Sequence, residues 1–200
     1  LLPLLVLVVF HTRSVSSAAP WGKNYKVATT STSIEPAPRL AASPLGKMVA
    51  VYSMDYDIYA VMRDVNTFTW ANPVKITDPT RFLAIFPDVA VASNSTIFAV
   101  WVDKRTNFNN DIYFSRSADN GITWSANIDI IPALNREPNQ VAPAIAVDNR
   151  AGYDKVIYIA YLESPSSGQM FIDFSSSHDE GNTWTFQRLS YPVGPTIYKI

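Results

Sequence analysis

Five charged side chains stand at the ends of apolar runs and have the chemistry to hold a polar ligand: Asp55, Asp103, Lys104, Arg105 and Glu163. An arginine guanidinium can pair with a carboxylate through two parallel hydrogen bonds, so Arg105 is the natural anion-binding group among them. Two simpler interpretations remain open, namely solvated loop charges and salt bridges between neighbouring sheets. We therefore treat the five as candidate binding residues and leave the catalytic residues unassigned.

Several other kinds of chemistry are excluded by residue type. The chain has no cysteine, so disulfides, thiolate catalysis and cysteine-ligated zinc are ruled out. Its two histidines, His11 and His178, are far apart in the sequence, and neither belongs to a histidine base or metal-ligand pattern. No glycine-rich phosphate loop is present. The sequence therefore predicts no cofactor and no metal.

The composition is that of a folded domain. The 200 residues are 48% hydrophobic and 16% charged, with a net charge of −1. That apolar content is enough for a substantial core. A nearly neutral chain creates no long-range positive field, so we expect neither a nucleic-acid partner nor an anionic membrane surface as a partner.

The first residues have the order of a secretory leader. The apolar run LLPLLVLVVF is followed by HTRSVSSAAP, which is polar, then small, then ends in proline. This order predicts a signal peptide over residues 1–18 and a linker or edge segment over 19–35. The apolar run is too short for a transmembrane helix, and a buried core strand is the alternative. The expected location is secreted or at the cell surface, with no membrane span after signal removal.

One loop pattern, Ser-x-Asp-x-Gly-x-Thr-Trp, occurs twice, as SADNGITW (117–124) and SHDEGNTW (177–184). We call these two segments the Ser-Asp loops. Each aspartate can accept hydrogen bonds from backbone amides further along the loop, and each glycine suits a positive φ. The tryptophan then buries a large ring. We interpret the pattern as a structural fastening; a calcium site is the alternative, but one carboxylate per loop supplies too few ligands. The structural residues are Ser117, Asp119, Gly121, Trp124, Ser177, Asp179, Gly181 and Trp184.

The loops belong to a longer repeat that begins at Pro38, Pro87, Pro143 and Pro195. Each unit reads as four short antiparallel strands, with no sustained helical period after residue 20. The run TIFAVWV is apolar on both faces, so its sheet must be covered on both sides. Sheets stacked around an axis provide that cover, which predicts an all-β fold of the β-propeller type. The expected units span about 36–80, 85–132 and 141–190, with a fourth starting near 194.

The repeated loop resembles the Asp box, or bacterial neuraminidase repeat, of sialidases and related propellers. In the first unit, RDVNTFTW (63–70) keeps only the Thr-Trp end of the pattern. The resemblance covers roughly residues 36–200 and implies a secreted propeller of six or seven four-stranded blades. Its implied partners are glycans or surface proteins. The alternative is an exo-sialidase-like glycoside hydrolase whose remaining catalytic residues lie beyond residue 200.

The chain departs from the sialidase pattern at two positions. Sialidases carry Arg-Ile-Pro at an early strand, but here Ile85 stands in the arginine position of IFP (85–87). Their Asp-x-Arg segment is matched by Asp103, Lys104 and Arg105. The loop that follows, TNFNN (106–110), contains no acid to protonate a leaving group. The resemblance therefore implies a propeller without an intact sialidase site in this segment.

Overall fold

The computed structural model describes most of the chain after residue 37. The described residues are 38–64, 66–67, 69–78, 83–105, 109–131, 139–150, 152–153, 155–165 and 168–190. The predicted signal peptide and linker lie outside these ranges, as do residues 106–108 of the TNFNN loop and the predicted start of a fourth unit. Within the described part, all regular secondary structure is β-strand. The all-β prediction is therefore confirmed.

The described residues form twelve strands in three separate four-stranded antiparallel sheets, each built from strands consecutive in the sequence. The first sheet contains β1 (Arg39–Ala42), β2 (Met48–Met54), β3 (Asp57–Arg63) and β4 (Val74–Lys75). The second contains β5 (Ala84–Val91), β6 (Ile97–Asp103), β7 (Asp111–Ser117) and β8 (Ile128–Asp129). The third contains β9 (Asn139–Val147), β10 (Ile157–Ser164), β11 (Phe171–Ser177) and β12 (Thr185–Arg188).

The second sheet lies between the other two. Residues of β5 pack against β1, β2 and β3, and residues of β9 pack against β5, β6 and β7. Every residue of β6 is buried, as expected for a strand that is apolar on both faces. In β10, by contrast, buried and partly buried residues alternate, which is the pattern of a strand covered on one face. In the described part of the chain the three sheets do not close into a ring.

Two apolar clusters hold the stack together. The first joins the first and second sheets and contains Val51, Ile58 and Trp101. The second joins the second and third sheets and contains Phe98, Phe114 and Ile159. Each of these two clusters draws side chains from both of its sheets. A smaller cluster of Ala50, Tyr52 and Val61 lies within the first sheet. The aromatic residues at matching places in the second strands are at most 3% exposed; Trp101 and Tyr161 belong to the clusters between sheets, and Tyr52 belongs to the smaller one.

Prolines mark a bulge near the start of two sheets. In β5 the pairing with β6 shifts between Ile85 and Asp88, which leaves Phe86 and Pro87 outside the ladder. In β9 the pairing with β10 shifts around Pro143 in the same way. Proline has no N–H to donate, so a bulge is where a strand can accommodate it. The residues before these prolines, Phe86 and Ala142, both have a φ of 52°.

Candidate functional site

The five candidate charged residues lie along one edge of the stacked sheets, which we call the charged edge. Backbone hydrogen bonds connect the sheets there: the Ala84 amide donates to the Tyr56 carbonyl oxygen (3.0 Å) and the Gln140 amide to the Asn110 carbonyl oxygen (2.7 Å). Asp103 pairs with Ala84 across β5 and β6, while Glu163 pairs with Gln140 across β9 and β10. The second strands of all three sheets therefore end at the same edge.

Arg105 is enclosed by groups from two sheets. Its Nη1 donates to Asp78 Oδ2 (2.8 Å), and its Nη2 donates to Asp103 Oδ2 (2.6 Å) and Asn127 Oδ1 (3.1 Å). The guanidinium carbon lies 4.3 Å from the centre of the Tyr113 ring. Burial is the largest single effect and would lower the pKa of Arg105, but the hydrogen bonds to Asp103 and Asp78 and the charge of Asp103 together outweigh it and raise that pKa. The side chain is 14% exposed; both terminal nitrogens donate to protein acceptors, and the buried Nε has no hydrogen-bond partner among the described residues.

Asn127 and Asp103 complete the tie between the first and second sheets. Asn127 accepts a hydrogen bond from the Asp78 amide (2.8 Å) and donates to the Ile76 carbonyl oxygen (3.0 Å). Asp103 also accepts from the Trp101 indole (3.0 Å) and the Arg105 amide (2.9 Å). Asp103 is 1% exposed, so both its oxygens are committed within the fold. This part of the edge is an internal ion-pair network.

Asp111 has a different environment. It opens β7 directly opposite Asp103, and its Oδ2 is buried with no hydrogen-bond partner among the residues that the structure describes. Burial raises the pKa of Asp111 to about 7, and the nearby charges of Asp129 and Asp103 add to the effect. Burial also raises the pKa of Asp129. A carboxyl group of this kind is half protonated at neutral pH and can donate a proton or a hydrogen bond.

The third sheet has its own acidic pair at this edge. Arg188 donates through Nε to Asp173 Oδ1 (3.0 Å), and its Nη2 also contacts Glu163 Oε1. Burial and the hydrogen bond with Asp173 raise the pKa of Glu163, and Arg188 opposes that shift. The Arg188 guanidinium lies 4.0 Å from the centre of the Phe171 ring. Glu163 is therefore held within its own sheet.

Asp55 and Lys104 are the candidates nearest to solvent. Asp55 is exposed in the turn between β2 and β3, and Lys104 is partly buried just after β6. The Lys104 amide donates to the Leu83 carbonyl oxygen (3.1 Å), which places its backbone beside the start of β5. Of the five candidates, Arg105, Asp103 and Glu163 are held by protein partners, and Asp55 and Lys104 lie towards the surface.

Sequence reasoning did not assign Asp111, Asp129, Asp173 or Arg188 to this edge. A signal for Asp111 was present, because it begins the strand that follows the loop after Asp103 and must pair near it. For Arg188 the sequence contains no such signal. It reaches Asp173 because β12 pairs with β11 in a register that places the two residues opposite each other.

The two Ser-Asp loops lie at the other edge and share the same hydrogen bonds. Ser117 Oγ donates to Asp119 Oδ1 (2.8 Å) and accepts from the Gly121 amide (2.8 Å). The second loop repeats both contacts through Ser177, at the same distances. Asp119 and Asp179 each accept from the amide four residues on, at 2.9 and 2.8 Å. The predicted turn bonds are therefore present.

The aspartates of these loops ionise readily. Hydrogen bonds from the threonine hydroxyl and amide, Thr123 in one loop and Thr183 in the other, lower the pKa of Asp119 and of Asp179 to about 2. The glycines have the positive φ that was predicted, 78° at Gly121 and 88° at Gly181. Both aspartates are satisfied by their own loop, which agrees with a fastening role.

Each loop packs onto the preceding sheet. A Cβ on Gly181 would lie 2.3 Å from Phe114 Cε1, and the Trp184 ring meets the Phe114 ring edge-on at 5.2 Å. Arg116 of β7 donates to the Glu180 carbonyl oxygen (2.8 Å). In the first loop, a Cβ on Gly121 would lie 3.0 Å from Met62 of β3. The loops thus connect neighbouring sheets as well as neighbouring strands.

Among the described residues, no group of three or more histidine, aspartate or glutamate side chains is arranged to hold a metal ion. Nor do they include a helix long and apolar enough to cross a membrane.

Solved structures share this arrangement of sheets. The Hadza microbial sialidase Hz136 matches with a TM-score of 0.53 and 18% identity over 78% of this chain and 37% of that one. Zg3597, a family 117 glycoside hydrolase of the marine bacterium Zobellia galactanivorans, matches with a TM-score of 0.51 and 13% identity over 76% of this chain and 55% of that one. A Dyadobacter fermentans protein of unknown function matches with a TM-score of 0.56 and 17% identity over 80% of this chain and 54% of that one.

These likenesses define the fold class. The three antiparallel sheets have the fold of part of a sialidase and of part of a glycoside hydrolase. At sequence identities of 13% to 18%, these likenesses show a shared fold and no shared function. The chain spans 37% to 55% of the length of the structures it matches. No protein-family model matches the chain, and no curated protein matches it.

Proposed function

We propose that this chain is part of a secreted or cell-surface, sialidase-like β-propeller that binds a glycan and has no intact sialidase site in this segment. Three features support the proposal: consecutive four-stranded sheets stacked face to face, a fold shared with a sialidase and a glycoside hydrolase, and two loops that resemble the Asp box. Ligand binding falls at the charged edge, opposite the Ser-Asp loops. The alternative ligand at the same edge is a protein, and a binding screen would distinguish it from a glycan.

The observation that carries the non-catalytic proposal is the environment of Arg105. A guanidinium that clamps a substrate carboxylate must present free N–H groups to the ligand. Both terminal nitrogens of Arg105 instead donate to protein acceptors, and Ile85 occupies the position of the other expected arginine. The matched Asp-x-Arg segment therefore serves to join two sheets.

A glycan array tests this proposal. The whole protein that contains this chain, produced without its leader, is applied to immobilised sialylated, galactosylated and uncharged glycans, with a pull-down of surface proteins in parallel. We expect retention on a defined group of glycans and no release of the fluorophore from an aryl sialoside. Absence of any glycan bound above background would overturn the binding proposal.

A second function, glycoside hydrolysis, is favoured by one observation. Asp111 has a buried, unpartnered carboxyl oxygen and a pKa raised to about 7, which suits a proton donor at neutral pH. If the whole protein cleaves an aryl sialoside, Asp111→Asn should lower kcat about 100-fold or more. Asp148→Asn, at the edge with the Ser-Asp loops, is the matched control. An uncleaved aryl glycoside panel would end this alternative.

A further inference from the structure

Two exposed aromatic residues at the charged edge stand on backbone that disfavours them. Tyr56, in the turn between β2 and β3, is 66% exposed with a φ of 70°, and Phe86, at the bulge of β5, is 45% exposed with a φ of 52°. The left-handed region is costly for bulky side chains and is usually occupied by glycine, asparagine or aspartate. Neither exposure nor backbone geometry accounts for an aromatic ring at either position.

The two positions are neighbours across the first and second sheets. The Tyr56 carbonyl oxygen accepts the Ala84 amide (3.0 Å), and Ala84 is two residues from Phe86 on the same strand. The Lys104 backbone joins the same place through its bond to Leu83. Tyr56 and Phe86 therefore belong to one small surface region, which also contains Asp55 and Lys104.

The third sheet shows what the backbone alone requires. At the equivalent bulge, before Pro143, the residue with the same φ of 52° is Ala142, which is also exposed. A methyl group is therefore sufficient for the bulge. At the turn, two residues of positive φ favour asparagine and glycine, yet the chain has Asp55 followed by Tyr56. Backbone strain at exposed positions is typical of functional sites, so these two rings are candidates for a role outside the fold.

We infer that Tyr56 and Phe86 form an aromatic platform on which a sugar ring of the bound glycan stacks, with Asp55 and Lys104 as its polar neighbours. This inference rests on the proposed glycan-binding function and names the site at which it operates. An exposed aromatic face offers a large apolar contact area, which suits the C–H face of a pyranose ring. A carboxylate and an ammonium beside it can hydrogen-bond the ring hydroxyls. The expected ligand class is a glycan with one accessible C–H face, such as a galactoside.

The test measures binding of lactose and 3′-sialyllactose to the whole protein by saturation-transfer NMR and titration. We expect Tyr56→Ala and Phe86→Ala each to weaken binding about tenfold, as for central aromatic contacts in an interface. Tyr56→Phe keeps the ring and should bind within about twofold of the parent. Tyr153→Ala, which removes a ring that is 47% exposed at the opposite edge, is the matched control.

The outcomes separate this inference from the proposed function. If the parent protein binds either sugar and both alanine variants bind equally well, the platform is wrong and the glycan-binding function stands. If Tyr153→Ala weakens sugar binding by the same factor, the platform is also wrong, because the loss of affinity would not depend on where the aromatic ring lies. If the parent binds neither these sugars nor any arrayed glycan, the function fails and the platform falls with it. Unchanged circular dichroism of the variants confirms that they are folded.

Discussion

At the scale of single residues, Asp111 differs from the other acids at the charged edge because its buried Oδ2 receives no hydrogen bond from the described residues. The negative charges of Asp103 and Asp129 lie nearby. The folded state therefore holds a proton that the unfolded chain releases near its ordinary pKa. Such an arrangement costs stability, and proteins keep costly groups at sites that use them.

The pH dependence follows from the sign of that shift. The folded pKa, about 7, is above the ordinary aspartate value of 3.8, so between these two pH values the folded state binds more protons than the unfolded chain. The contribution of Asp111 to the free energy of unfolding is therefore undiminished below about pH 4, falls as pH rises towards 7, and levels off above. We expect Asp111→Asn to raise the free energy of unfolding at pH 8 by about 1–2 kcal/mol, discounted for solvent screening, and to leave it unchanged at pH 4.

Urea denaturation at the two pH values measures this effect. Asp55→Asn, at an exposed position on the same edge, is the matched control and should change little at either pH. A variant that gains the same stability at both pH values would show that the carboxyl is not protonated in the fold.

At the scale of elements, the Ser-Asp loops perform two tasks with one short sequence. The serine and aspartate close the turn through local hydrogen bonds, and the glycine allows the loop to lie directly on the preceding sheet. Trp184 adds a hydrogen bond from its indole to the Gly181 carbonyl oxygen (3.1 Å). The loop is thus attached both to its own strand pair and to Phe114 of the neighbouring sheet.

Gly181→Ala should be strongly destabilising. Its Cβ would overlap the Phe114 ring, at 2.3 Å from Cε1, and alanine disfavours a φ of 88°. We expect a loss of about 2–4 kcal/mol in the free energy of unfolding, from overpacking and backbone strain together. The chain offers a matched control in Gly152, which has a φ of 85° and no atom within 4 Å of its Cβ position. Gly152→Ala should lose only about 1 kcal/mol, the backbone part.

Urea denaturation of Gly181→Ala and Gly152→Ala measures the loss in free energy of unfolding for each variant. Equal losses would mean that the contact with Phe114 contributes nothing and that the loop does not fasten the two sheets. A larger loss at Gly181 isolates the packing contribution, because the backbone conformation is nearly the same at both sites.

At the scale of the whole molecule, stability depends on joining sheets that cannot cover themselves. The two larger apolar clusters lie between sheets, and the Arg105 network adds a polar tie between the first and second sheets. Its members come from three places in the sequence: Asp78 after β4, Arg105 after β6 and Asn127 before β8. Removing the guanidinium would leave Asp103 buried without its charge partner.

Arg105→Ala should therefore weaken the whole fold as well as any ligand binding. We expect a loss of about 3–5 kcal/mol in the free energy of unfolding, as when one partner of a buried pair is removed. Arg150→Ala is the matched control, because Arg150 pairs with Asp148 while its own side chain is 71% exposed. That exposed pair should contribute little to stability, because solvent screens it. Thermal and urea denaturation measure both variants, and a loss no larger than that of Arg150→Ala would show that Arg105 is not a structural tie.

The sequence by itself determined the features that depend on neighbouring residues. Alternation and β-branched runs predicted the all-β fold, and the apolar run at 97–103 predicted a strand covered on both faces, which the burial of β6 confirms. The repeated loop predicted its own turn, because serine, aspartate and glycine act on amides within four residues. These features are local, because the interactions that cause them join residues that are close in the sequence.

Only the tertiary structure decided which charged residues are held by partners from other parts of the chain. Nothing near Arg105 in the sequence indicates that Asp78 and Asn127 accept hydrogen bonds from its guanidinium, because Asp78 meets it when the first and second sheets pack together and Asn127 meets it when the second sheet folds. The same holds for Tyr56 and Phe86, which are 30 positions apart and become neighbours through one backbone hydrogen bond between the β2–β3 turn and β5. Contacts between sheets depend on how whole surfaces fit, and no local pattern encodes that fit.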